Sequence, residues 1–252
     1  MLLTALAIAP GLAICLFIYS RDIFGNGKEP LRVLVVSFLL GALSTLPAWI
    51  IEMTAGSVRA SEPVSRYFIF AFGIVGFTEE CCKFLVLRFY AYPRESFDEP
   101  FDGIVYAVMI SMGFATVENL EYVLYFGADA GIMRFFLAVP AHAAFAVLMG
   151  YYVGLAKFQK ERSAWLIMKG LLVAVLFHGS FDFFLFLQQS DYARQYLSTG
   201  LLSFGAFASF YISFRLAMNA LRMHRRRLSA TASDPAENGE PDQTDYDHTR
   251  FD

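Results

Sequence analysis

The stretch Tyr67–Tyr90, YFIFAFGIVGFTEECCKFLVLRFY, decides the fold. As a helix it is long enough to cross roughly 30 Å of hydrocarbon, which takes about 20 residues. In its middle stands Thr78-Glu79-Glu80-Cys81-Cys82-Lys83. The apolar run continues on both sides of this motif, so the charges are embedded in it and do not mark a membrane edge.

The rest of the chain has the same character. Of 252 residues, 57% are hydrophobic and 17% charged, with 27 Phe, 13 Tyr and a mean hydropathy of +0.48. A soluble domain usually carries about 25% charged residues. Seven apolar stretches predict an all-α, polytopic transmembrane bundle: Leu2–Tyr19, Leu31–Ile51, Tyr67–Tyr90, Asp102–Phe126, Ile132–Ala156, Ala164–Leu187 and Thr199–Leu221. Residues 1–227 form the membrane domain, with the core motifs in 67–187. Residues 228–252 form an acidic tail, with seven acidic side chains from Asp234 to Asp252 against Arg250, and this composition predicts disorder. No basic face alternates with aromatics, so nucleic acid is not a partner. Cys15, Cys81 and Cys82 lie in apolar runs and read as small core residues.

Orientation follows from the basic residues near span ends. Arg21, Lys28, Arg32, Arg88, Arg94, Lys157, Lys160, Arg162, Arg222 and Arg225–Arg227 fall on one side; Arg59, Arg66, Arg134 and Arg194 fall on the other. This asymmetry predicts N-out and C-in, with a cytoplasmic tail. The first span has no basic residue before it, unlike a signal peptide, and is expected to be a retained anchor.

Further ionisable groups lie in the later spans: Glu118, Asn119 and Glu121 in the fourth, His142 in the fifth, His178 and Asp182 in the sixth. An acid or lysine at mid-bilayer costs on the order of 2.5–3.5 kcal/mol. Glu79, Glu80, Lys83, Glu118 and Asp182 together would cost roughly 12–18 kcal/mol unrelieved, more than a typical domain's stability. They are therefore expected to face one another or a wet cavity. Glu79 and Lys83 are four apart, as are His178 and Asp182, so each pair shares a helix face. Asp182 is placed to orient the imidazole of His178. At about 1.5 Å per residue from the outer span ends, Glu79, Glu118, His142 and His178 lie roughly 12–18 Å deep. Four helices thus bring polar groups to one level. Gly73, Gly76, Gly103, Gly113 and the Gly150–Gly154 GxxxG are expected to let helices approach. Pro140 is expected to kink the fifth helix just before His142.

This ordered set resembles the PrsW family of intramembrane proteases. The resemblance rests on Glu79-Glu80-x-x-Lys83, Phe101-Asp102-Gly103-Ile104-Val105-Tyr106, Gly113-Phe114-x-x-x-Glu118-Asn119, His142 and His178-x-x-x-Asp182. The distantly related CAAX prenyl endopeptidases have an arginine after the glutamate pair and FxxxH later; here Lys83 and Glu118 stand instead. The resemblance implies an endopeptidase of the cell membrane that cleaves membrane-bound, often regulatory, proteins, and it leaves the catalytic type open.

Peptide hydrolysis in a bilayer needs an activated water and a stabiliser for the oxyanion. The residues support Glu79 or Glu80 as base, Glu118 as second carboxyl, and His142 and His178 as oxyanion stabilisers, with Lys83, Asn119 and Asp182 supporting. With zinc, Glu80, Glu118, His142 and His178 would be the ligands. No HExxH occurs, and the sequence leaves metal-free and zinc-dependent chemistry both open. The substrate is expected to be a single-span membrane protein in the lipid bilayer. The competing reading is a non-catalytic scaffold or an ion- or proton-conducting bundle.

Overall fold

A computed structural model describes residues 2–20 and 29–233. Among them the secondary structure is helical. The chain folds as α1 (Leu2–Ser20), α2 (Leu31–Leu43), α3 (Thr45–Ala55), α4 (residues 64–91), α5 (Asp102–Phe126), α6 (residues 128–158), α7 (Ser163–Leu187), the short α8 (Asp191–Arg194) and α9 (Thr199–Ser233). Five stretches are long and apolar enough to cross a membrane: Leu31–Ala55, Asp102–Phe126, Gly131–Phe158, Lys160–Leu187 and Thr199–Met223. The other two expected spans are helical as well. The apolar part of α1, Ala7–Tyr19, is shorter. Helix α4 carries Glu79, Glu80 and Lys83 and so lacks the low charge of the other five. From residue 234 onward the acidic tail lies outside the described residues.

Helix α5 is the centre. Every residue from 102 to 115 is buried, as befits a helix apolar all round. It packs against α1, α2 and α6, and α6 packs against α7 and α9. Large side chains such as Leu16, Phe89, Leu176, Phe204 and Phe207 point outward, forming the lipid-facing surface expected of a membrane bundle. Two close approaches fix the central helices. A Cβ on Gly150 would run into the backbone of Gly103, and one on Gly154 into the carbonyl of Pro100. Gly41 and Gly113 bring α2 and α5 together in the same way, against Ile110 and Phe38. Gly73, in contrast, has open space where a side chain would go, so the approach expected there does not occur.

The end of the bundle near residues 92–106 is closed by polar bonds. Asp102 Oδ2 accepts the backbone N–H groups of Asp98 and Glu99, and Lys157 Nζ donates to the carbonyls of Tyr92 and Arg94. Tyr106 donates to the Glu29 carboxylate, whose pKa burial pushes up. The Phe101–Tyr106 motif thus pins a loop and does not belong to the polar cluster of Glu79 and its neighbours.

Helices α2 and α3 are two halves of one span, bent at Ser44. Ser44 and Thr45 turn their hydroxyls onto the carbonyls of Gly41 and Ala42, and Pro47 offers no N–H to the turn before it. After the bend, α3 leans on α4 and keeps a contact with α5, with Ala48 against Cys82 and Phe114.

Candidate active site

The glutamate motif lies on a regular α-helical segment, Phe77–Val86, between two π-helical stretches, Ile69–Gly76 and Leu87–Ala91. Such irregular turns are frequent at functional sites. The segment buries Glu79, Glu80 and Lys83. Lys83 Nζ is the hub. It donates to Glu79 Oε2 at 3.1 Å, to Glu80 Oε1 at 2.8 Å and to His142 Nδ1 at 3.2 Å, and it sits 4.2 Å over the ring of Phe114. With Nδ1 accepting, the ring of His142 carries its proton on Nε2, which donates to Glu118 Oε2 at 2.9 Å.

His178, one turn before Asp182 on α7, has a carboxylate at each ring nitrogen. Nδ1 is 2.7 Å from Glu80 Oε1; Nε2 is 3.3 Å from Asp182 Oδ2 and 3.8 Å from Glu79 Oε2. The two imidazoles stand edge to face with centroids 5.0 Å apart. All five groups singled out by sequence, Glu79, Glu80, Glu118, His142 and His178, are thus brought into one network with Lys83 and Asp182.

Arg134 enters the site although the sequence reading counted it among charges on the outer surface. Its Nη2 pairs with Glu118 Oε2 at 2.8 Å, its Nε donates to Asn119 Oδ1, and it stacks 4.0 Å over Tyr122. Asn119 in turn donates to the carbonyl of Ala7, tying α1 to the network. Arg134 opens a π-helical turn, Arg134–Ala138, that runs up to Pro140. Pro140 lacks the N–H that an α-helical register would require there, and the wider turn takes up the mismatch.

A cavity of about 700 Å³ opens beside the network. Glu79, Glu118, His142, His178 and Asp182 line it, as do Glu52 and Trp49 from α3 and Glu121 and Tyr122 from α5. Glu80 is not among its lining residues and lies behind, between Lys83 and His178.

The donor set suits a divalent metal. One ligand atom from each of Glu79, Glu80, His142 and His178 lies within 4.8 Å of the others. Two imidazole nitrogens and two carboxylate oxygens are ordinary zinc ligands, and the bond from His142 Nε2 to Glu118 is the kind of outer contact that orients a ligating imidazole. The sequence reading had Glu118 in this set; its carboxylate is engaged by Arg134 and His142, and Glu79 takes the inward position.

Comparison with known proteins agrees with this picture. A family model described as "PrsW family intramembrane metalloprotease" matches residues 29–219. The protein named Protease PrsW from Bacillus subtilis (strain 168) is 39% identical over 181 residues, covering 71% of this chain and 80% of the relative. Proteins of the same name from Geobacillus kaustophilus and Shouchella clausii are 36% and 34% identical, covering 73% and 71% of this chain and 79% and 81% of theirs. No solved structure matches.

Proposed function

Because the chain belongs to the PrsW family of intramembrane metalloproteases, we propose that it cuts single-span, regulatory membrane proteins at the Glu79–His142–His178 wall of its cavity. It is a multi-pass protease of the cell membrane, and its substrates are membrane-embedded. The observation that carries the reading of the site is the polar network, built from α4, α5, α6 and α7 and opening onto a cavity between apolar helices.

Glu79 is the base, because its carboxylate lines the cavity while that of Glu80 is enclosed. Glu79 takes a proton from water as the water oxygen bonds to the carbonyl carbon. His142 and His178, their N–H groups held by Glu118, Glu80 and Asp182, form the side of the cavity that faces the oxygen gaining charge. The carbon–nitrogen bond then breaks and the proton passes to the leaving nitrogen. Glu118, held by Arg134, keeps His142 in place; Asp182 does the same for His178. Zinc, when bound, would be held by Glu80, His142 and His178, three of the four converging groups, which leaves Glu79 as base, and would supply Lewis acidity toward the scissile carbonyl. The test is cleavage of a panel of single-span substrates by purified protein in liposomes. Chelation is expected to abolish cleavage and added zinc to restore it. Cleavage that continues through exhaustive chelation would confine the chemistry to the carboxylates and imidazoles.

Seven spans, with the N terminus outside and the C terminus inside, complete the proposal. Helix α4 turns Glu79, Glu80 and Lys83 into the bundle, so its charges do not oppose insertion. With Arg134 engaged inside, the outer side retains Arg59, Arg66 and Arg194, which sharpens the charge asymmetry. A topology reporter fused after Arg227 is expected to read cytoplasmic, and one in the loop between α3 and α4 external. An external reading after Arg227 would reverse the orientation.

A further inference from the structure

Two cavity residues take no direct part in the bond making above, Arg134 serving there only to hold Glu118, and both lie outside the motifs quoted from the sequence. Glu52 lines the cavity from α3, and its Oε1 is buried with no hydrogen-bond donor. Arg134 lines it from α6; its Nη2 carries two N–H groups, and the 2.8 Å pair with Glu118 Oε2 engages one of them, leaving the other without an acceptor. An acceptor and a donor are therefore left over in one enclosed space. Buried polar groups of this kind are uncommon and call for a partner. The neighbouring carboxylates are already engaged: Glu79 by Lys83, Glu118 by His142 and Arg134, Asp182 by His178.

We propose that Glu52 and Arg134 clamp the substrate's main chain, Glu52 accepting a peptide N–H and Arg134 donating to a peptide C=O. The proposal rests on the protease reading and adds which groups of this chain receive the main chain of a locally opened membrane segment. A transmembrane helix satisfies each N–H and C=O within itself, which is why it can stay in hydrocarbon at all. Its carbonyl carbons are shielded by the same bonds. A span must therefore open before water can reach one, and the freed groups then need partners. A peptide unit presents one donor and one acceptor, and Glu52 and Arg134 offer an acceptor and a donor to match. Selection then falls on how easily a span opens, so that Gly, Pro or Asn within it favours cleavage more than any particular side-chain sequence.

The test uses a synthetic single span of about 20 Leu and Ala residues with Asn-Gly at its centre. Its binding, by energy transfer in liposomes, and its cleavage are measured separately. Glu52→Leu is expected to weaken binding and raise KM roughly ten- to hundredfold, the range for a hydrogen bond to a charged group, with kcat changed much less. Glu52→Gln, which keeps an acceptor oxygen, is expected to recover most of the loss. Thermal stability of Glu52→Leu should be equal to or above that of the parent, because a buried acceptor without a donor has been removed; a residue with only a structural role would lower it. Arg134→Leu should weaken binding as well, and an all-Leu span that cannot open should bind poorly to every form. Unchanged binding in both Glu52→Leu and Arg134→Leu overturns the clamp, as does a wild-type protein that binds the Asn-Gly span no better than the all-Leu span. Binding that depends on Glu52 without any cleavage would instead sink the protease reading and leave the clamp standing.

Discussion

Glu79→Gln is expected to slow peptide hydrolysis by about 10²–10⁴-fold, the usual contribution of a positioned general base. The substitution hardly changes volume, and the amide keeps an oxygen facing Lys83, so the fold is expected to survive. Glu80→Gln should behave differently. Its Oε1 bridges Lys83 at 2.8 Å and His178 at 2.7 Å from behind the cavity wall. Neutralising it disturbs the positions of two other residues as well as lowering the rate. Asp182→Asn should cost less than either, because it affects only the orientation of His178. The measurement is single-turnover cleavage in liposomes beside a melting curve for each variant. Full activity in a well-folded Glu79→Gln protein would remove it as base.

Lys83→Met is expected to destabilise the protein by about 3–5 kcal/mol, the range seen when one partner of a buried ion pair is removed. Lys83 Nζ reaches Glu79, Glu80 and His142, and among the described residues no other Lys or Arg pairs with the first two. Without it, two adjacent carboxylates stand buried in an apolar bundle. Changing Glu79 and Glu80 to Gln in the same protein should return much of the loss, because the excess charge goes with them. The free cysteines offer a probe: Cys15 and Cys82 are buried, so a thiol-reactive dye reports unfolding in detergent. A Lys83→Met protein that exposes its thiols no earlier than the parent would refute the hub role.

The charges inside apolar runs were legible because hydrocarbon leaves them few explanations. Glu79, Glu80, Lys83, Glu118, His142, His178 and Asp182 stood out for that reason, and the structure joins them. The residues at span ends were not legible. Glu52 and Arg134 sit where hydropathy cannot distinguish a charge that meets headgroups from one that turns inward. Arg134 was further concealed by its spacing. Eight residues before His142, it would lie well off that side chain's face on a regular helix; the intervening π-helical turn absorbs roughly one residue and restores the alignment. The ligand set shows the same limit. Periodicity says that Glu118 can face the cluster, but only coordinates show that Arg134 and His142 claim its carboxylate. The division of Leu31–Ala55 at Ser44 is another case, since the bend depends on where two hydroxyls and Pro47 direct the backbone.

The same network has a consequence for electroneutrality. Glu79, Glu80, Glu118 and Asp182 bring four carboxylates together, and Lys83 and Arg134 bring two cations. Two negative charges remain over, in surroundings that screen them poorly. His178, with a carboxylate at each ring nitrogen, is placed to carry one balancing proton, whereas His142 accepts from Lys83 at Nδ1 and stays neutral; one divalent ion held between those same rings and carboxylates would balance both charges. Proton and metal therefore compete at the ring of His178, and loading the site with a divalent ion should release about one proton into an unbuffered solution.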